Sequence, residues 1–213
     1  MSFTIHDAPQ RSPEWFAARA GRLTGSRADV LTMQGKGGAE SVTRRDYRLQ
    51  LVCERLTGLP QEDGEGFINA AMQRGIDCEP LAFAAYESQT GNMATKTGFL
   101  AHDDDLAGCS LDGHVNAFEG IVEIKCPKSA THLRYLRDGV LPKDYVAQVT
   151  HNLWVTGAAW CDFLSFDDRF PERLRVFIVR VLAKDLDLAS HEIAALKFLN
   201  EVDLEVNTIR SMK

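Results

Sequence analysis

Several features that mark common protein classes are missing from this sequence. No stretch approaches the roughly 18 consecutive apolar residues typical of a membrane-spanning helix, and no basic segment leads into an apolar run at the N-terminus. The five cysteines form no CxxC pair, so the usual ligand spacing of a zinc site or an iron–sulfur cluster is missing too. We therefore expect a cytoplasmic protein whose cysteines are reduced and mostly buried.

A general excess of positive charge is missing as well. The formal net charge is −6, which argues against a uniformly basic surface for nucleic acid. The charge is uneven, since residues 1–55 contain nine Lys or Arg against six Asp or Glu, and residues 56–213 contain fifteen against twenty-four. The resulting charges of +3 and −9 place the basic excess near the N-terminus, although a solvated helix face would have a similar composition. Part of this excess comes from Arg19, Arg22, Arg27 and Lys36.

The length and the apolar content are those of one globular domain. The chain has 213 residues, 45% of them hydrophobic, and no internal repeat, low-complexity tract or linker divides it. Residues 1–213 are therefore expected to form a single domain. Apolar periodicity predicts helices at Trp15–Ala20, Ser26–Met33, Val42–Thr57, Asn69–Thr90, Tyr145–Thr156 and Ala183–Ile209. Pro80 is expected to kink or break the fourth of these helices.

Short runs rich in strand-forming residues, separated by Asp, Asn and Gly, follow the fourth helix. They predict a β-meander with strands at Phe99–Ala101, Ala107–Leu111, His114–Ala117 and Gly120–Lys125. Two further strands are predicted at Trp160–Phe166 and Leu174–Val181. The whole pattern indicates an α/β fold in which helices flank a mixed β-sheet.

The predicted meander carries one group of chemically reactive residues. Asp112 follows the second strand, and Glu123-Ile124-Lys125 lies on the fourth, beginning eleven residues downstream. Because alternate residues of a strand point to the same face, Glu123 and Lys125 project together, while Ile124 turns towards the core and leaves its carbonyl available. Two carboxylates, a carbonyl and waters suit Mg²⁺ or Mn²⁺, and a lysine can orient an attacking water or offset the charge of a phosphorane. Such a group could hydrolyse a phosphodiester, although an aspartate followed by ExK also arises by chance on exposed strands.

Four segments in and around this group are similar to known motifs. They are Cys109–Gly113, Val122–Pro127, Tyr145–Gln148 and Trp154–Thr156, in that order. They resemble the core motifs of the lambda exonuclease and YqaJ-like viral recombinase family, the phage alkaline exonucleases, and the resemblance extends at similar spacing over most of the chain. It implies a restriction-endonuclease-like PD-(D/E)XK core.

The resemblance assigns a metal site and a catalytic lysine. Asp112, Glu123 and the backbone carbonyl of Ile124 would be the metal ligands. The family pattern implies two Mg²⁺ ions, with Mn²⁺ as an alternative. Lys125 would be the catalytic lysine.

Three further residues join this catalytic group by resemblance. Gln148 would position water or phosphate, and Tyr145 would lie beside the same site. The segment Arg74–Glu79 matches the family's helix that carries an active-site glutamate, which makes Glu79 the third acidic member and an additional metal ligand. From the local sequence alone, Glu79 is equally a solvated carboxylate or one in the first turn of a helix that begins at Pro80.

The run from Arg19 to Ser26 resembles the turn that receives a terminal 5′ phosphate in this family. This turn is expected to contain no strand. Hydroxyls and backbone amides at a helix start bind phosphate, and an arginine adds charge-assisted hydrogen bonds. The resemblance therefore implies a 5′-phosphate site made by Arg19, Thr24 and Ser26, with Ser110 completing the pocket. Thr24 or Ser26 could instead be an ordinary helix N-cap.

Other positions bear on DNA binding. Met72 occupies the place where the family has an apolar wedge that separates the last base pairs, although the sequence alone favours a buried core methionine. Lys36 lies in a glycine-rich loop that could reach DNA or be ordinary surface. Gly25 and Arg22 depart from the family pattern within the phosphate-binding turn.

The resemblance implies a metal-dependent exonuclease that acts on DNA. Such an enzyme would degrade one strand of linear double-stranded DNA from its 5′ end, release mononucleotides and leave a 3′ overhang for single-strand annealing recombination. A single-strand annealing recombinase would be its partner, a homotrimeric ring its assembly, and a phage or prophage in a bacterial host its origin. The alternatives are an endonuclease or nickase with the same core, and a non-catalytic protein that binds DNA ends or docks a recombinase.

Overall fold

The computed structural model describes residues 3–61 and 70–212, the side chains of 70–72 excepted. Within these residues the strands are β1 (Phe3–His6), β2 (Leu23–Thr24), β3 (Phe99–His102), β4 (Ala107–Ser110), β5 (Gly113–Val115), β6 (Gly120–Lys125), β7 (Trp160–Phe166) and β8 (Val176–Leu182). The helices are α1 (Pro13–Arg19), α2 (Val42–Thr57), α3 (Ala70–Thr90), α4 (Ser129–Asp138), α5 (Lys143–Thr156) and α6 (Leu188–Arg210). Short 3-10 helices span Gly25–Thr32, Lys36–Gly38, Glu172–Leu174 and Ala183–Asp185.

Local sequence signals set the ends of the first two helices. Ser12 caps α1 by accepting a hydrogen bond from a backbone N–H at 3.2 Å, and Pro13 occupies the first helical position, where a missing N–H is tolerated. Ser41 caps α2 in the same way. Gly58 ends α2 in the left-handed conformation that glycine adopts without strain. These signals explain why the predicted bounds of α2 are confirmed.

The strands form two four-stranded sheets, in the orders β1-β3-β4-β2 and β5-β6-β7-β8. The chain leaves the first sheet at the end of β4 and enters the second at β5, with Asp112 between them. The prediction of one continuous β-meander is therefore wrong, because turn residues indicate where a strand ends but not which strand it pairs with. In the second sheet β6 lies inside, antiparallel to β5 and parallel to β7.

Two helical predictions need correction, and the effect of Pro80 can be stated more closely. The segment Ser26–Met33 is mostly a 3-10 helix rather than an α-helix. The predicted tail from Ala183 starts as a 3-10 turn, and α6 begins only at Leu188, after Asp187 caps it. Pro80 lies inside α3, which continues to Thr90, so the proline does not end this helix.

Helix α5 packs against both sheets. All residues from 149 to 156 are buried. Val149 and Leu153 belong to one hydrophobic cluster with Leu100 of the first sheet and Ile121 of the second. Burying each such side chain stabilises the fold by about 1.5–3 kcal/mol. The same helix brings Gln148 next to β6.

Acidic residues of α6 neutralise much of the basic excess of the N-terminal portion. Arg44 contacts Glu201 at 2.8 Å and Arg55 contacts Asp203 at 2.7 Å. Arg48 pairs with Glu205 of the same helix and with Glu40. The uneven distribution of charge along the chain is therefore partly cancelled where α2 and α6 meet, and α2 does not present these arginines as a basic face.

Helix length and cysteine burial bear on two expectations from the sequence. Among the helices described, none is both long and apolar enough to cross a membrane. All five cysteines are free thiols. Cys78, Cys109 and Cys161 are buried, whereas Cys126 is partly exposed and Cys53 is exposed.

Candidate active site

Glu123 and Lys125 project from the same face of β6, as the alternation of strand residues predicts. Lys125 Nζ donates a hydrogen bond to Glu123 Oε1 and lies 5.2 Å from the centre of the Tyr145 ring. The Ile124 side chain between them is buried in a hydrophobic cluster. Glu123 itself is only 2% exposed, so its carboxylate depends on protein partners for its hydrogen bonds.

Asp112 joins this pair through the backbone of β6. Its Oδ2 accepts a hydrogen bond from the N–H of Ile124 at 2.6 Å. Burial and the neighbouring Glu123 raise the pKa of Asp112 to about 7, although Lys125 and the Ile124 N–H act in the opposite direction. The carboxylates of Asp112 and Glu123 lie close together beside Lys125. Their oxygen atoms suit a hard divalent cation, which would relieve the repulsion between the two negative charges.

Two amides of α5 hold the Glu123 carboxylate from the other side. Gln148 Nε2 donates to Glu123 Oε1 at 2.7 Å, and Asn152 Nδ2 donates to Oε2 at 3.2 Å. The two residues are four apart and share one helix face. Asn152 was not predicted from the sequence, but its spacing from Gln148 on a predicted helix was the signal that could have found it.

Glu79 lies at the edge of this site. It belongs to the interior of α3, so the first-turn alternative does not apply. Its Oε1 accepts a hydrogen bond from Lys96 at 2.5 Å, and it lines the same cleft as Asp112 and Gln10. Within the described part of the chain, no three His, Cys, Asp or Glu side chains form a ready metal-binding group. The structure thus brings Asp112 and Glu123 together, while Glu79 is paired with a lysine.

Arg19 and Ser110 meet next to the candidate metal site. Ser110 ends β4, two residues before Asp112, and its Oγ lies 3.5 Å from Arg19 and 3.1 Å from Trp15 Nε1. The Arg19 guanidinium also lies over the Trp15 ring, 4.1 Å from its centre. Trp15 was not predicted as part of this site, and its contacts orient Arg19 towards β4.

Thr24 and Ser26 have different surroundings. Thr24 lies on β2, which pairs with β4, so the expectation of a turn without a strand is wrong. The Thr24 side chain is buried beside the Tyr47 hydroxyl and makes no capping hydrogen bond, whereas Ser26 is exposed. The structure therefore does not gather all four phosphate-binding candidates around one point.

Lys36 and Met72 are the two remaining candidates for DNA binding. Lys36 is exposed and begins the short 3-10 helix Lys36–Gly38. The side chain of Met72 lies outside the described residues.

Comparisons with known proteins agree on the relationship of this chain. Residues 14–159 match the model of the YqaJ-like viral recombinase domain. The structure is similar to that of an alkaline exonuclease (LHK-Exo) from Laribacter hongkongensis, with a TM-score of 0.81 and 36% identity over 93% of this chain and 96% of that one. The same values hold for the complex of LHK-Exo with dAMP.

A more distant likeness concerns the fold alone. A phage-related exonuclease from Haemophilus somnus 129PT gives a TM-score of 0.57 at 15% identity over 86% of this chain and 96% of that one. A comparison with curated protein sequences finds no match.

Proposed function

The chain belongs to the YqaJ-like viral recombinase family and has a nuclease fold of the restriction-endonuclease type, and from this we propose a magnesium-dependent exonuclease that acts on linear double-stranded DNA. It degrades one strand in the 5′-to-3′ direction, releases mononucleotides and leaves a 3′ overhang. The observation that carries the proposal is the convergence of Asp112, Glu123 and Lys125 at β6, with Gln148 bound to the same carboxylate.

Each residue of this group has a distinct task. Asp112, Glu123 and the Ile124 carbonyl would hold Mg²⁺, with Mn²⁺ as a substitute and Glu79 as a further ligand to a second ion. When bound, the metal activates water and offsets charge on the phosphate. Gln148 positions the Glu123 carboxylate and the water or phosphate beside it.

Lys125 acts as a positive charge rather than as a base. Burial lowers the pKa of Lys125, but the carboxylates of Glu123 and Asp112 outweigh burial and raise the pKa above its ordinary value. A lysine that stays protonated can stabilise the charge that develops on a phosphorane. Tyr145 packs beside the ammonium group and limits its movement.

The substrate end binds where α1 meets β4. Arg19 and Ser110, which contact each other, are the centre of the candidate site for a 5′ phosphate. Thr24 and Ser26 are further candidates that do not lie at the same point. The contact between Arg19 and Ser110 supports this placement, because it puts a cation and a hydroxyl next to Asp112. Lys36 is a candidate contact for the duplex beyond the end.

Replacing Arg19 by alanine is expected to lower the preference for 5′-phosphorylated over 5′-hydroxyl ends. Because one charge-assisted hydrogen bond to the phosphate is lost, we expect this preference to fall by about 10-fold. Initial rates on two duplexes that differ only in the 5′ group measure this preference, with Arg137→Ala on the exposed side of α4 as the control. A wild-type preference in Arg19→Ala would place the phosphate site elsewhere.

A homotrimeric ring that encloses DNA is the proposed assembly. A protein of net charge −6 attracts a polyanion weakly, and salt screens the local Arg and Lys contacts, so an open cleft would release DNA readily. Cyclic symmetry closes such heterologous contacts into a ring. The pairing of α2 arginines with α6 strengthens this argument, because it removes part of the basic surface from DNA binding.

Light scattering is expected to give the mass of three chains. After degradation has begun, an excess of unlabelled competitor DNA should leave the enclosed substrate bound and its degradation in progress. A monomer that dissociates after a few nucleotides would contradict the ring.

A single-strand annealing recombinase that takes up the 3′ overhang is the proposed protein partner.

The direction of degradation is tested with duplexes labelled at the 5′ or the 3′ end of one strand. We expect early release of the 5′ label as a mononucleotide in Mg²⁺ and none in Ca²⁺. Early release of the 3′ label would reverse the proposed direction. Retention of both labels by a folded, DNA-bound protein would favour a non-catalytic end-binding function.

A further inference from the structure

Asn152 lies between the candidate metal site and the candidate phosphate-binding turn. Its side chain is 1% exposed, and its Nδ2 donates a hydrogen bond to Glu123 Oε2 at 3.2 Å. Its Oδ1 faces Gly25, where an added methyl group would lie 2.2 Å from that oxygen. We propose that Asn152 is a positioning residue that fixes the Glu123 carboxylate for metal binding, and that Gly25 keeps open the space Asn152 needs. This proposal rests on the proposed function, since it takes Glu123 as a metal ligand.

The hydrogen bond from Asn152 completes the surroundings of Glu123. Among the described residues, Lys125 and Gln148 both donate to Oε1, and Asn152 is the donor to Oε2. A carboxylate held at both oxygens cannot rotate about its last side-chain bond. Removing Asn152 frees Oε2, and the carboxylate then presents the wrong orientation to a cation.

The carbonyl oxygen of the Asn152 side chain, Oδ1, argues against a purely structural role for this residue. Within residues 3–61 and 70–212, Oδ1 of Asn152 is buried and has no hydrogen-bond partner. A buried acceptor without a partner destabilises a fold, so an apolar side chain would serve packing better. The amide is therefore explained by its bond to Glu123.

Gly25 is required for space and not for an unusual backbone conformation. Its φ angle lies outside the positive range that only glycine adopts freely, so another residue would not strain the backbone. A methyl group there would collide with the amide of Asn152, while the nearest atom of His151 would remain at an ordinary 3.5 Å. This contact gives a physical reason for a glycine between Thr24 and Ser26.

A double-mutant cycle tests the proposal through metal binding, measured as calorimetric titration with Mn²⁺ in the absence of DNA. Asn152→Ala is expected to weaken Mn²⁺ binding by about 10-fold or more, the usual effect of losing a residue that orients a ligand. Gly25→Ala is expected to weaken it as well, because the methyl group displaces the amide. The double variant should bind Mn²⁺ no more weakly than Asn152→Ala alone, since the colliding amide is gone.

The controls are a Gly→Ala and an Asn→Ala substitution at positions away from Glu123. Gly75→Ala adds a methyl group that meets no described atom within 4 Å outside the backbone of its own helix, and Asn200→Ala removes an exposed amide of α6. Both should keep wild-type Mn²⁺ affinity, and neither should lower the melting temperature, because alanine favours a helix more than glycine or asparagine does. Asn152→Leu preserves side-chain bulk without a donor. If Asn152→Ala folds poorly, Asn152→Leu replaces it in the titration and should show the same weakened binding of Mn²⁺.

Three outcomes would overturn the proposal. They are unchanged Mn²⁺ affinity in folded Asn152→Ala or Asn152→Leu, a Gly25→Ala effect that persists in the Asn152→Ala background, and a wild-type protein that binds no Mn²⁺. If Gly25→Ala fails to fold, the double variant should fold again. Because Mn²⁺ affinity is measured without DNA, a protein that binds metal but cleaves no linear duplex would contradict the proposed function alone.

Discussion

Replacing Lys125 by alanine is expected to slow cleavage of linear duplex DNA by at least about 100-fold, the usual cost of losing one group that stabilises transition-state charge. The ammonium group lies against Glu123 and beside Tyr145, so it is fixed at the point where a phosphate would react. DNA binding in Ca²⁺ should persist, because most of the affinity for DNA comes from contacts with other phosphates. Single-turnover cleavage and fluorescence anisotropy in Ca²⁺ measure the two effects separately.

The control for this variant is Lys197→Ala, which removes an exposed lysine of α6. It should cleave at the wild-type rate. Substantial single-turnover cleavage by Lys125→Ala would show that the lysine is not part of the reacting group. Equal losses of binding and cleavage would assign it to substrate binding instead.

Replacing Asp112 by alanine or asparagine is expected to remove both metal binding and activity, because either change removes a ligand. Asparagine can still accept the hydrogen bond from Ile124, so it separates the loss of charge from the loss of geometry. Calorimetric titration with Mn²⁺ should show no site of wild-type affinity in either variant.

The metal-free stability of Asp112→Asn should not fall. The raised pKa of Asp112 means that its ionised form is less stable in the fold than in the unfolded chain. This destabilisation begins above the ordinary aspartate pKa of 3.8, grows until the pH reaches about 7, and is constant above that. Removing the charge should therefore leave the melting temperature at pH 8 unchanged or higher, with the exposed Asp104→Asn as the control. Wild-type Mn²⁺ affinity would contradict the role of Asp112 as a ligand, and a large loss of stability at pH 8 would contradict the raised pKa of its carboxyl.

Local patterns in the sequence were sufficient to predict β6, the strand that carries Glu123 and Lys125. The predicted bounds of β6 and β7 are confirmed, because dense apolar runs ended by turn residues mark a buried strand. The same alternation predicted that Glu123 and Lys125 share a face. Residue types and spacing also joined Asp112 to this pair, and only the family resemblance added Gln148 and the nuclease family.

Contacts between distant segments could not be predicted in this way. Strand pairing assigned β4 and β5 to different sheets, although the turn between them resembles that of a hairpin. The bond between Trp15 and Ser110 joins residues 95 positions apart, and the pairing of α2 with α6 depends on how these helices pack. Periodicity carries no information about such partners, so Asn152 and Gly25 were not recognised as neighbours.

A site that cleaves DNA only from an end should leave a covalently closed circle intact. The most direct measurement compares a linear duplex with a covalently closed circle of the same sequence, each incubated with the protein and Mg²⁺. We expect mononucleotides from one strand of the linear duplex, a single-stranded 3′ tail, and a circle that stays closed. A nicked or linearised circle would identify an endonuclease, and a linear duplex that is bound but releases no nucleotide would contradict catalysis altogether.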